Sequence, residues 1–183
     1  MEKKKRIIVC IFMAIVIGGV WILLYIEDRG KQSFDSALDK YESLGEIKYL
    51  KVSNGERTEV LIWDGKFWRW EDKPSLGAPQ DELSELLDKV TKELNPQKVE
   101  EELSPEETGL DEAKYEVHLK DAHGNEFVIR IGKSSPNGVY YATLDGEKQV
   151  YTIRRHARKL ADEIIVYRMM MDFDINSSPS LLP

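Results

Sequence analysis

Three histidines and one cysteine limit the chemistry open to this chain. His118 and His123 flank Asp121, and no other two histidines lie so close in sequence. His118 alternates out of phase with Tyr115, Val117 and Leu119, which predicts that it faces solvent, and His123 falls in the turn that follows. A metal centre needs three or four converging ligands with a supporting shell. Two imidazoles and a carboxylate around a turn fall short of that, so the expectation is a polar hairpin end, with no metal and no cofactor. Cys10 lies inside an uncharged apolar run and is preceded by Ile7, Ile8 and Val9 rather than a small-residue box. It reads as a small apolar residue of a membrane helix, not a lipid attachment site. Being the only cysteine, it leaves no disulfide and no exported thiol nucleophile. Gly132-Lys133-Ser134-Ser135 has part of a phosphate loop, but the earlier glycine is missing and Pro136 stands where a helix should begin. The carboxylates fall on helix faces and in the Glu100–Glu107 stretch, where solvation explains them. No catalytic residue is expected, and the chain reads as a non-enzyme.

Binding chemistry is better represented. Arg154, Arg155, His156, Arg158 and Lys159 form the one strong basic cluster outside the N-terminus. It reads first as a solvated helix start paired with Glu100–Glu102, and second as a site for an anionic ligand such as a wall polymer or lipid headgroup. Cations at a helix N-terminus oppose its dipole, which makes the cluster odd on stability grounds. Trp63, Trp68, Trp70, Tyr140 and Tyr141 read first as cross-strand core packing and second as a row that stacks on sugars. Trp68 and Trp70 share one strand face, with Phe67 on the other. The candidate ligand- or partner-binding residues are therefore Arg154, Arg155, His156, Arg158, Trp68 and Trp70.

These groups must be positioned by a folded part beyond a membrane anchor. Ile7 to Ile26 is twenty residues without a charge. At about 1.5 Å per residue a helix of that length spans roughly the 30 Å of a bilayer's hydrocarbon core. Gly18 is tolerated in such a helix, and Trp21 sits near the outer end with Tyr25, where amphipathic rings favour the interface. Lys3, Lys4, Lys5 and Arg6 flank the inner end, so the positive-inside bias places the N-terminus in the cytoplasm and the rest outside. No small-x-small cleavage site follows Trp21, which favours an uncleaved single-pass anchor in a bacterial cytoplasmic membrane. The formal charge is −7, of which the first six residues contribute +3, leaving −10 for the exported part. So acidic a part repels nucleic acid and does not lie flat on anionic lipid.

The chain after the anchor alternates between two patterns. Residues 27–45 form a juxtamembrane segment in which Phe34, Ala37, Leu38, Tyr41 and Leu44 repeat at helical spacing, a stripe expected to pack on the domain. Ile47–Ser53, Arg57–Trp63 and Phe67–Trp70 read as strands separated by Asn54-Gly55 and Asp64-Gly65 turns, with Thr58, Val60 and Ile62 on one face. Leu83, Leu86, Leu87, Val90 and Leu94 then mark a helix. Ser104-Pro105-Glu106-Glu107 predicts a capped helical turn ended by Gly109. Tyr115–Leu119, Phe127–Ile131, Val139–Leu144 and Val150–Ile153 repeat the strand pattern, and a helix follows from about Arg155 to Tyr167. The fold class is α+β: an antiparallel sheet in two meander-plus-helix units, about 46–95 and 113–171, preceded by one transmembrane helix. Residues 172–183 are expected to be a flexible tail.

A family resemblance enters in the second half. The order Thr108-Gly109-Leu110-Asp111, Tyr115-Glu116-Val117, Gly124, Ile131-Gly132-Lys133, Gly138-Val139-Tyr140-Tyr141-Ala142 and Val150-Tyr151-Thr152-Ile153 resembles the bacterial domain-of-unknown-function family 4340. Gly65-Lys66-Phe67-Trp68-Arg69-Trp70, followed by Pro74, Pro79 and the leucine-rich helix, resembles that family's opening. The resemblance covers roughly Ile47 to Asp162, and departs at Ala113, where the family usually has proline. It implies an exported, membrane-tethered α+β domain, often encoded beside ABC-type transporter or gliding-motility-like components, and it transfers no catalytic residue. The functional expectation is a binding or assembly module whose partners are the bilayer and a membrane or envelope protein. Binding of wall glycan or an anionic ligand is the alternative, and an exported hydrolase is the weakest reading.

Overall fold

Short polar turns organise the strands. Asn54 Oδ1 accepts from the N–H groups of Glu56 and Arg57, at 3.0 and 2.9 Å, and Asp64 Oδ1 accepts from those of Lys66 and Phe67 in the same way. These side chains replace backbone acceptors at the turn and so set the register of the flanking strands. The computed structural model describes residues 36–177. Ile7, Gly18, Trp21 and Ile26, expected as a membrane anchor, therefore lie outside the described residues. Among the described residues no helix is long and apolar enough to cross a membrane.

The chain forms a mixed α/β fold around one antiparallel sheet. Its elements are α1 (Ala37–Glu42), β1 (Ile47–Ser53), β2 (Thr58–Trp63), β3 (Trp68–Trp70), α2 (Gln80–Lys92), β4 (Gln97–Lys98), α3 (Pro105–Thr108), β5 (Tyr115–Asp121), β6 (Glu126–Ser134), β7 (Tyr140–Leu144), β8 (Val150–Ile153) and α4 (His156–Ser177). The eight strands lie in the order β3-β2-β1-β5-β6-β7-β8-β4. Two meanders are thus fused edge to edge through β1 and β5, where Leu50 faces Leu119 and Val52 faces Val117. Very short strands, β3 and β4, close both edges of the sheet, which limits strand-to-strand association there.

One face of the sheet holds the core. Leu50, Val52, Leu61, Trp70, Val117, Leu119, Phe127, Ile129 and Leu144 are all fully buried. α4 lies against β1, β2 and β5 and packs along α2, and the α2 stripe of Leu83, Leu86, Leu87 and Val90 is buried as its spacing predicts. Thr58, Val60 and Ile62 do share a face, but it is the outward one. Ile62 is 38% exposed, while Leu61 and the carboxylate-bearing Glu59 point inward.

The juxtamembrane stripe packs as expected. Ala37 and Tyr41 are buried, and the Tyr41 hydroxyl donates to the Val90 carbonyl at 3.0 Å. α1 is also held at the β7–β8 turn, where Lys40 pairs with Asp145 at 2.6 Å and the Ala37 N–H donates to Glu147. Phe34 lies outside the described residues. The predicted turn at Ser104 carries a complete capping box with Glu107, and Gly109 ends it in the left-handed conformation, at φ 66°.

The last helix departs from expectation. It begins at His156 but continues to Ser177, ten residues past Tyr167. The segment from Asp172 to Ser177, expected as flexible tail, is helical. Asp172 explains much of this, because its carboxylate accepts from Arg57 and Lys73 on two other segments and pairs with Arg168 one turn back.

Candidate functional site

The distinguishing feature of α4 is that its character changes halfway along. Ala157, Leu160, Ala161, Ile164, Ile165 and Arg168 recur at helical spacing and are buried against the sheet. The opposite side of the first half carries Arg155 and the i,i+4 pairs Arg158–Asp162 and Lys159–Glu163. From Val166 onward that outer side becomes apolar. Val166, Met169, Met170 and Phe173 follow an i, i+3, i+4, i+7 pattern and are 52%, 51%, 56% and 71% exposed. Four large apolar side chains in one stripe on solvent are unusual for a surface helix, whose outward face is ordinarily polar.

A groove of about 280 Å³ lies beside this stripe, between α2 and α4. Pro79 and Leu86 form one wall, and Ile164, Val166, Tyr167 and Met170 form the other. Glu82, Asp162 and Glu163 ring it, and among the described residues no lysine or arginine lines it. Asp162 is already engaged by the Tyr115 hydroxyl at 2.8 Å and by Arg158 at 3.7 Å, and Glu163 by Lys159 at 3.2 Å. Glu82 is exposed and has no ion pair among the described residues.

The residues singled out in the sequence fall in three places. Arg154 and Arg155 are exposed and make no ion pair among the described residues. His156 is half-buried with Nε2 3.8 Å from Glu93. Burial lowers its pKa against the pull of Glu93, and Arg154, Lys89 and Arg155 add to the lowering, so it sits largely uncharged at the helix N-terminus. That relieves part of the clash between the cluster and the helix dipole. Arg158 is drawn in over the ring of Tyr115, 4.2 Å from its centroid, and near that of Tyr140. The expected partners Glu100–Glu102 are not used; Glu93, Asp162 and Glu163 take that role, because α4 turns the cluster towards α2 and along its own length.

Trp68 and Trp70 are buried, at 4% and 0% exposure, which corrects their candidacy as a binding surface. The inward face of β3 carries both rings into the core, and Trp63 meets Trp68 edge-on at 5.9 Å. Tyr140 and Tyr141 point to opposite faces of β7, so the aromatics do not form one exposed row.

The histidine pair is explained locally. Asp121 is buried, and its carboxylate accepts from the N–H groups of Gly45, His123 and Asn125 and from the Asn125 amide. Burial raises its pKa, but these donors outweigh that and hold it below the usual carboxylate range. The carboxylate thus organises the β5–β6 turn. His118 faces outward from β5, edge-on to Tyr49, with Nε2 3.5 Å from Glu126. Gly132 of the partial phosphate loop serves close packing: a Cβ there would come 2.2 Å from the Thr108 carbonyl oxygen. The neighbouring Lys133 donates to the Glu106 carbonyl at 2.7 Å, so this segment straps α3 to β6.

A second polar pocket was not anticipated. Arg168, 3% exposed, stacks on Trp70 and pairs with Asp72 and Asp172 beside the buried Glu59. Of this group, the sequence carries only the i,i+4 spacing of Arg168 and Asp172 as a signal. The apolar stripe was legible in principle from its spacing, but ending the helix at Tyr167 concealed it.

No curated protein and no solved structure matches the chain. A family model described as Domain of unknown function (DUF4340) matches residues 68–166, just over half of the chain, from β3 to the middle of α4. The match covers the α2 wall of the groove and stops at Val166, where the exposed stripe begins. On that match, the chain is a member of the family DUF4340.

Proposed function

We propose that this protein is a membrane-anchored extracytoplasmic module that binds a protein partner at the bacterial envelope and performs no covalent chemistry. The observation that carries the reading is the exposed stripe of Val166, Met169, Met170 and Phe173 beside an apolar groove. Such a surface costs free energy in water, at roughly 25 cal/mol per Å² of apolar area, and that cost is recovered only when something covers it. Methionines suit the task because their side chains repack to fit. The anchor read at Ile7–Ile26, with Lys3 to Arg6 inside, would hold the module at the membrane and raise its effective concentration near membrane partners. The family resemblance suggests an ABC-type transporter component as one such partner.

A second reading, capture of an anionic ligand, is favoured by Arg154 and Arg155, which are exposed without an ion pair among the described residues.

One experiment separates the two. A photo-cross-linking residue is placed at Met169 of the full chain in its native membrane, and a topology reporter is fused after Pro183. The reading expects reporter activity only outside the cytoplasm and a covalent adduct with another envelope protein. V166D/M170D should abolish the adduct, and R154E/R155E should leave it intact. A reporter active in the cytoplasm, or an adduct lost only with the arginine changes, would overturn the reading.

A further inference from the structure

We infer that the occupant of the α2–α4 groove is a single α-helix of a partner protein, apolar on one face and flanked by lysine or arginine. This rests on the binding function proposed above and names its partner's chemistry. The argument for a helix comes from backbone satisfaction. The groove walls are two helices whose peptide groups, beyond the first turn of α2, are already bonded along their own axes. An extended peptide in an apolar groove would bury N–H and C=O groups with no backbone to pair with. A helix brings its own hydrogen bonds and buries only side chains. From Val166 to Phe173 is seven residues, about 10.5 Å at 1.5 Å each, so two turns of a third helix fit along the stripe.

Charge decides which helix. Among the described residues, every charged side chain lining the groove is acidic: Glu82, Asp162 and Glu163. Arg158 and Lys159 neutralise the last two in part, but Glu82 is unpaired among the described residues. A second copy of this chain would set the same carboxylates against one another, which disfavours self-docking. A bilayer with anionic headgroups is repelled for the same reason, and by the −10 carried beyond the first 26 residues. A cationic flank on the incoming helix satisfies the rim without burying a charge.

The test uses the full chain in zwitterionic lipid nanodiscs and two fluorescent helical peptides with the same leucine–alanine face. One is flanked by lysine and the other by glutamate, and binding is read by anisotropy. The lysine-flanked peptide should bind at least about tenfold more tightly at low salt, a gap of about 1.4 kcal/mol. The gap should shrink towards unity at about 1 M salt. E82K should narrow it, and V166D/M170D should abolish binding of both peptides while leaving the melting transition in place. Equal affinity for the two peptides overturns the cationic flank. Binding of neither, self-association through the stripe, or uptake of the stripe into the nanodisc lipid overturns the helical partner. If the in-cell adduct at Met169 persists in any of these cases, the binding function stands and only this inference falls.

Discussion

Arg168 lies over the indole of Trp70, its guanidinium carbon 4.9 Å from the ring centroid, and donates to Asp72 at 2.6 Å. It is a buried cation that joins the middle of α4 to the β3–α2 loop, with its stem serving as core. Asp72 is largely exposed and screens the pair, so the loss on mutation is smaller than for a fully buried ion pair. Arg168→Met keeps the stem and should cost about 1–2 kcal/mol, while Arg168→Ala also opens a cavity and should cost about 2–4 kcal/mol. Urea midpoints would check the order; Ala no worse than Met would mean that the charge, not the packing, matters.

Gly132→Ala should destabilise by about 1–3 kcal/mol, because the new methyl meets the Thr108 backbone carbonyl and α3 must move. Gly77→Ala is the matched control, with nothing within 4 Å of the added carbon and no positive φ. Thermal melts of the two variants should differ clearly. Equal melting temperatures would show that α3 is loosely held.

Glu59 has its pKa raised, first by burial, with Arg168 and Arg57 pulling the other way and Asp72 and Asp172 adding to the rise. A carboxyl whose folded pKa lies above its unfolded value favours folding most when protonated. Its contribution therefore falls as pH rises from about 4.5 through the folded pKa. Glu59→Gln should be at least as stable as the parent at pH 7, and the advantage should vanish below pH 4. A variant less stable at pH 7 would mean that the ion pair with Arg57, at 3.8 Å, outweighs burial.

The domain should fold without the N-terminal apolar segment. A fragment beginning at Asp28 keeps α1, both meanders and α4 and contains no cysteine. It is expected to melt in one cooperative step, unchanged by reducing agent. A disordered circular dichroism spectrum would show that the domain depends on the membrane or a partner.

Strand and helix existence was legible because both depend on short-range pattern. Alternation marks β2, β5 and β6, Asn54-Gly55 and Asp64-Gly65 mark the turns on either side of β2, and the α2 stripe reads directly from leucine spacing. The family match rests on the same kind of local signal. What the amino-acid order left open was which side of each element meets another. Val60 and Ile62 look like a core face, yet Leu61 and Glu59 turn inward, because β2 must present the side that meets α4. Trp68 and Trp70 fit core packing or an exposed row equally by alternation, and burial of the inward face of β3 decides for core. The stretch from Asp172 reads as a flexible tail, whereas in the fold Asp172 pairs with Arg57 and Lys73, residues about a hundred positions earlier, and the helix runs on to Ser177. Local sequence thus determined the elements, since hydrogen-bonded turns and side-chain periodicity act within a few residues. Tertiary structure decided the faces, the groove and the exposed stripe, since burial is a property of neighbours brought together from distant parts of the chain.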